Sequence, residues 1–299
     1  MGEVSEVGPA GAVVAAALLA LLATAASIVD GGGAGRPVAE VARLLRQRRR
    51  VTVAADRLLW RVGGGGLLVA ALLMVAVVPL GRWTVADLPV GVVWFNAMDV
   101  LVWALVWLAG WGPNSAYALV GAYRFLAQAL AYELPLMFAL TGPAVAAGSL
   151  RVADVAAAQH GLWYAVRMPV AFAVFCLGVV AFSVRGPFAP AAGTDIAGGV
   201  LAEVSGVDRL LLLAGRYALL AAGSAFAVPM FLGGGAGPLL PGWLWVPVKA
   251  LLLLAGLVAV RRRLPAVRPE RFAEAGWLVL LPAVLLQVLL VSILAVAGG

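Results

Sequence analysis

Five ionisable side chains sit inside long, otherwise uncharged apolar runs: Asp99, Arg124, Glu133, Arg216 and Lys249. A charge at membrane depth is expensive, and by default it marks a proton relay, a ligand contact or a buried partner. Arg124 and Glu133 are nine residues apart in one run. On a helix that is about 900°, half a turn, so they do not face each other. Each needs another partner or water. For Arg124 and Lys249 a second reading stands beside this one, because long basic side chains can snorkel to the interface. Glu133 is too short to do so and lies just before Pro135, which favours a water-lined or protein-lined site. The single cysteine, Cys176, and single histidine, His160, leave no internal disulfide, cysteine-ligated iron–sulfur cluster, bis-His haem or zinc site in this chain. Cys176 reads as a small buried apolar residue, and His160 as a polar residue of an outward loop. Asp195, Glu203, Asp208 and Arg209 make the stretch from Arg185 to Asp208 a long polar loop, a type that is often functional.

The elements that must position these residues follow from composition. Of 299 residues, 64% are hydrophobic and only 12% charged, and mean hydropathy is +1.04. Soluble domains carry roughly 25% charged residues. The chain is therefore expected to be an all-α polytopic membrane protein, forming one integral membrane domain over 1–299. A soluble enzyme, a disordered chain and a nucleic-acid-binding module are excluded. Uncharged runs long enough for about 30 Å of hydrocarbon place eight spans, at about 9–29, 62–81, 90–111, 115–149, 168–184, 208–232, 243–260 and 275–297. The fourth is too long for one perpendicular crossing, so it must tilt or bend near Pro135.

The net charge of +7 is not spread evenly. Eight arginines lie between Arg36 and Arg61, and five between Arg261 and Arg271. With these loops in the cytoplasm, fifteen arginines fall on that side against Arg82, Arg151 and Arg167 on the other, which is the positive-inside bias. Both termini then face outward, across an inner (plasma) membrane. The start carries Glu3 and Glu6 and no basic residue, so the first apolar run is expected to be a retained span. After Gly31-Gly32-Gly33, Pro37 suits a helix start. Val38, Val41 and Leu45 recur at helical spacing, with Glu40, Arg43 and Arg46 opposite, which predicts a short amphipathic helix lying in the interface. A plain solvated basic loop is the competing reading. The glycine runs at 63–66 and 233–235 lack the Gly-Lys-Ser/Thr of a phosphate loop and read as close-packing sites.

The run from Gly110-Trp111-Gly112-Pro113-Asn114-Ser115 through Gly121-Ala122-Tyr123-Arg124 and Gln128 to Tyr132-Glu133-Leu134-Pro135 resembles the third-to-fourth-span signature of the complex I subunit 1 family. That family includes the H-type membrane subunit of bacterial NADH–quinone oxidoreductase. Asp87-Leu88-Pro89-Val90-Gly91, Pro37-Val38-Ala39-Glu40-Val41-Ala42-Arg43-Leu44, Arg185-Gly186-Pro187-Phe188, Glu203-Val204-Ser205-Gly206, Phe231-Leu232-Gly233-Gly234 and Gly276-Trp277 follow in family order, so the resemblance covers about 36–297.

The resemblance implies a subunit at the junction of the membrane and hydrophilic arms. Its partners are the other subunits of a complex I-like assembly, membrane lipid, and quinone as substrate. No cofactor or metal is held by the chain itself. It also implies proton-coupling roles for Glu133, Asp195 and Glu203, and a quinone chamber lined or supported by Arg185, Pro187, Phe188 and Arg124. The sequence departs from the family pattern at Phe182, Val184, Ala189, Ala192 and Gly193. It also reads Gly215-Arg216-Tyr217 where the family has Ala-Glu-Tyr, placing a cation where an anion is expected. Asp99 is an extra acid. These departures thin the proton relay more than the fold. A membrane anchor for a hydrogenase or formate-linked complex is the alternative reading, and a stand-alone channel or transporter a third, against which the absence of a long internal repeat argues.

Overall fold

The computed structural model describes residues 5–298 apart from Val7 and His160. The expectation for His160 therefore falls outside the described residues. Helix α1 (Pro9–Gly31) is followed by α2 (Gly35–Arg46), α3 (Arg57–Val75), α4 (Gly91–Trp111) and α5 (Ala116–Ala147). The short α6 (Val152–Ala157) and α7 (Tyr164–Arg167) lead into α8 (Pro169–Phe182). After an irregular loop come α9 (Gly206–Phe231) and α10 (Gly242–Arg263). The last stretch is α11 (Pro269–Ala275), a π-turn at Gly276–Leu280 and α12 (Leu281–Gly298). Two-residue strands, β1 (Ser5–Glu6) and β2 (Trp83–Thr84), pair in parallel, which puts Ser5 and Glu6 beside the α3–α4 loop.

Among the described residues seven helical stretches are long and apolar enough to cross a bilayer: α1, α3, α4, α5, α9, α10 and the continuous 269–297 stretch. The expected fifth span is shorter than its apolar run. Helix α8 has 14 residues, about 21 Å, and is packed among α5, α9 and α12. The expected long fourth span is a 32-residue helix that contains both Pro135 and Pro143. At about 48 Å it exceeds the hydrocarbon thickness, so it leans or projects beyond it.

Local signals explain where the elements start. The Asp56 carboxylate accepts from the Leu58 and Leu59 amides, at 3.1 and 3.0 Å, and caps α3. The amphipathic segment is helical, as its spacing predicts. Leu44 is fully buried against the bundle, while Val38 and Leu45 are exposed, leaving an apolar stripe free to meet lipid.

Small residues let the long helices meet, as is usual where no hydrophobic effect drives association. A Cβ on Gly63 of α3 would lie 2.7 Å from the Leu105 carbonyl oxygen of α4, with the Ala109 backbone equally in the way. Gly65, two residues on, has nothing within 4 Å. Gly63→Ala is therefore expected to destabilise the detergent-solubilised chain by about 1–3 kcal/mol in thermal unfolding. Gly65→Ala should be neutral or slightly stabilising. Equal effects at the two positions would contradict this packing.

Candidate functional site

Three charged arrangements emerge, and sequence reasoning had named only parts of each. The first lies where α1, the loop after α8, α9 and α10 converge. Asp30, near the end of α1, accepts from Arg185 Nη1 at 3.0 Å and from the Tyr217 hydroxyl at 3.0 Å. It also pairs with Arg261 at the end of α10. The Arg185 guanidinium lies over the Tyr217 ring, a cation–π contact that a planar guanidinium suits. Arg216, one residue before Tyr217, is buried and donates through Nε to the Val184 carbonyl at 3.0 Å, with Nη2 on the same oxygen. The family-divergent cation thus meets a backbone acceptor, not a carboxylate.

Above this polar floor opens a cavity of about 660 Å³ between α1, α2, α3 and α9. Its walls are mostly apolar, as at Ala23, Leu72 and Leu213, with Arg36 and Glu40 of α2 among them, and Arg185, Arg216 and Tyr217 line its base. An apolar cleft with a few convergent polar groups is the usual form of a site for an amphiphilic small molecule.

The second arrangement is the loop between α8 and α9, laid along the first half of α5. Gly121 permits the approach, because a Cβ there would sit 3.0 Å from the Val200 amide nitrogen and closer still to the Ala191 carbonyl oxygen. Gln128 donates to the Phe188 carbonyl at 3.1 Å, Ser115 donates to Glu203 at 2.9 Å, and Arg124 pairs with Asp195. The Arg124 guanidinium holds the Asp195 carboxyl below the ordinary aspartate range. Its contribution to docking the loop is therefore present at neutral pH and is lost only as pH falls through that lowered value. Asp195 stands as a fixed negative charge near neutrality. Phe188 packs on Phe272 with ring centroids 4.5 Å apart, and the Pro187 carbonyl accepts from the Val267 amide at 3.0 Å.

The third arrangement lies deep between α4 and α5. Asn96 donates to Glu133 at 2.8 Å, and the Tyr132 hydroxyl makes a long 3.4 Å bond to Asp99. Asp99 is fully buried and Glu133 nearly so.

Of the residues singled out from the sequence, Arg185, Arg216 and, from α2, Arg36, Pro37, Glu40 and Val41 line the large cavity; of the four residues expected at the chamber, Arg185 is the one found there. Arg124, Pro187 and Phe188 belong to the loop's packing against α5 and α11, while Glu133, Asp195 and Glu203 sit in three separate places. Arg124 and Lys249 both have protein partners: Arg124 reaches the exposed loop residue Asp195, and Lys249 reaches backbone carbonyls. The Lys249 ammonium donates to the Leu232, Gly234 and Ala236 carbonyls, at 2.7, 3.0 and 2.7 Å. It thereby satisfies the turn after α9, where a cation is favoured. Asp30 and Asn96 escaped the sequence reading, and Tyr217 appeared there only as a motif residue with no role. Asp30 looks like the first polar residue of a loop, and its signal is being an acid at a span edge that shares a membrane face with Arg185 and Arg261.

Val184 carries φ +54°, a left-handed conformation that a β-branched residue tolerates badly and asparagine far better. The resemblance places an Asn at this position. Val184 is only 2% exposed, so Val184→Asn trades about 1 kcal/mol of backbone relief against burial of an amide; thermal unfolding within about 1 kcal/mol of wild type is expected, and a loss above about 3 kcal/mol would contradict this balance.

Comparison with known proteins gives a consistent answer. A family model described as NADH dehydrogenase matches residues 25–292. The chain is 39% identical over 207 residues to the NADH-quinone oxidoreductase H-type subunit 2 of Geobacter sulfurreducens, covering 69% of this chain and 63% of the relative. It is 38% identical over 206 residues to the H-type subunit 1 of Geobacter metallireducens, with the same coverage of 69% and 63%. The H-type subunit 2 of Cereibacter sphaeroides is 38% identical over 226 residues, 75% of this chain and 70% of that protein. The matches to the two Geobacter proteins thus span just under two thirds of their length. With its family-model match running through nearly all of its helices, the chain belongs to the NADH dehydrogenase family of membrane subunits, the complex I subunit 1 family that its motifs resemble.

Proposed function

We propose that this chain is a membrane subunit of a complex I-like NADH–quinone oxidoreductase. In this reading it forms the lipid-side approach to a quinone chamber and helps couple quinone reduction to proton translocation, across a plasma membrane with both termini outward. The observation that carries it is the cavity between α1, α2, α3 and α9, with apolar walls and a floor of hydrogen-bond donors. A quinone has the matching form: a long apolar tail and a head whose carbonyl oxygens accept hydrogen bonds. Arg185 and Arg216, which keep further N–H groups, are the donors placed to receive such a head, while Tyr217, whose hydroxyl is given to Asp30, holds the Arg185 guanidinium over its ring; the exposed stripe of α2 meets the bilayer beside the opening. The names of the relatives supply the reaction class. The chain itself is assigned no redox centre, so electrons reach the quinone from partner subunits.

Pro187, Phe188 and Arg124 support the chamber indirectly, by holding the Arg185 loop against α5 and α11. For coupling, Glu133 is the carboxyl best suited to hold a proton, since its Oε2 is buried and unbonded among the described residues. Asp195 and Glu203 act as a fixed charge and a hydrogen-bonded acid on the loop. A membrane anchor of a hydrogenase-like or formate-linked complex is the second reading. It is favoured by Arg216, which puts a cation at a position of the family's acids. Identifying the soluble subunits that co-purify separates the two.

Ala23 and Ala214 line the cavity from α1 and α9, so a bulky side chain there obstructs an amphiphile's tail. In the assembled complex, Ala23→Trp and Ala214→Trp are expected to raise KM for a long-tailed quinone about tenfold. Activity with a short-tailed analogue should stay close to wild type. Unchanged kinetics with both quinones would contradict this route.

A further inference from the structure

The floor of the large cavity carries more positive charge than the described residues balance. Three guanidiniums, Arg185, Arg216 and Arg261, gather around one carboxylate, Asp30. Both oxygens of Asp30 are already taken, Oδ2 by Arg185 and Tyr217 and Oδ1 by Arg261. Arg216 is left with a single carbonyl, that of Val184, which accepts from both Nε and Nη2. Lys249, by contrast, is met by three carbonyls. Arg216 is buried and lines the cavity. Its Nη1 has no hydrogen-bond partner among the described residues and is not sealed off by protein. The Nη1–Nη2 end of the guanidinium is therefore left for a ligand. Arg185 Nε is likewise buried with no partner among them.

The other charged residues of the wall do not supply the missing anion. Glu40 of α2 is paired with Arg43 of the same helix. Arg36 adds a further cation and donates to the Gly31 carbonyl at 2.8 Å. A buried guanidinium without a counter-charge is costly. A bound anion offsets that cost better than a neutral acceptor, because a hydrogen bond between two ionised groups is roughly twice as strong as a neutral one. The remaining wall says what the anion must carry. It is apolar, as at Ala16 and Leu19 of α1, Leu68 of α3 and Leu210 of α9, and a volume of about 660 Å³ suits one small amphiphile. A bare inorganic ion leaves that apolar wall unmatched. A carboxylate head is planar, carries one negative charge and presents two oxygens to the fork of a guanidinium. One such head matches the one guanidinium of the floor that has no carboxylate.

We propose that the cavity between α1, α2, α3 and α9 binds a long-chain carboxylate, its head on Arg216 and its tail along the apolar faces of α1, α3 and α9. No bond is made or broken. The proposal rests on the reading of the cavity as the site of an amphiphile and adds the charge of the head. Where quinone uses the same cavity, the two compete.

The test is native mass spectrometry of the full chain in a neutral detergent, with palmitate, its methyl ester and hexadecyl phosphate at equal concentrations. It needs neither quinone nor partner subunits. One palmitate per chain is expected, held about tenfold more tightly than the methyl ester. Arg216→Gln should bring palmitate down to the level of the ester, and Arg216→Lys should retain the preference. If Arg216→Gln does not fold, Ala214→Trp, which fills the wall and leaves the charges in place, should lose palmitate. Equal binding of palmitate and ester overturns the proposal, as does palmitate binding unchanged in Arg216→Gln or in Ala214→Trp. Tighter binding of hexadecyl phosphate than of palmitate overturns the carboxylate as the head. In the assembled complex, palmitate should raise KM for a long-tailed quinone without lowering kcat. Palmitate that binds through Arg216 but leaves that KM unchanged upholds the carboxylate site and overturns the quinone route instead.

Discussion

A guanidinium next to hydrocarbon costs several kcal/mol unless an anion or a set of carbonyls meets it, and Asp30 meets two of them. Its carboxylate joins the end of α1 to Arg185 of the α8–α9 loop, to Tyr217 of α9 and to Arg261 of α10. Four segments that are distant in sequence are thereby fixed at one membrane face. Without that anchor the floor of the large cavity has no defined geometry, because Arg185 and Tyr217 are both oriented by Asp30. The same rule governs the other intramembrane cations. Arg216 takes the Val184 carbonyl, and Lys249 takes three carbonyls after α9. Each of these cations is met by a group that would otherwise lack a partner.

The helices were legible in the sequence because a spanning segment must be long, apolar and internally hydrogen-bonded. The amphipathic α2 was legible from the spacing of Val38, Val41 and Leu45. The shortness of α8 was not. Hydropathy runs through Val184, whereas the helix stops at Phe182, and the turn that follows is held by Arg216 from a helix more than thirty residues away. The site divided in the same way. Glu133 could be named because a charge inside an apolar run stands out, and Arg185 because the motif it begins resembles the family's. Asp30 could not, because at a span edge it looks like ordinary loop polarity. What singles it out is the convergence of three other segments upon it, which is a tertiary fact.

Two departures from the family pattern are linked in space. Arg216, where the resemblance places an acid, binds the carbonyl of Val184, where it places an asparagine. A left-handed valine is strained, and a bidentate guanidinium on its carbonyl holds that conformation in place. The acid missing from α9 is not restored at the same site. An additional carboxyl stands instead at Asp99, between α4 and α5, beside Glu133. The charge pattern of the bundle has thus been redistributed while its packing glycines, such as Gly63 and Gly121, keep the helices and the loop in close contact.

A double-mutant cycle between Asp30 and Arg185 tests most directly whether this anchor holds the floor together. Asp30→Asn, Arg185→Gln and the double variant are compared with wild type by unfolding of the full chain in detergent. A coupling energy of about 1.5 kcal/mol or more is predicted, since each single change strands a buried partner. Additive effects, within about 0.5 kcal/mol, would contradict the account.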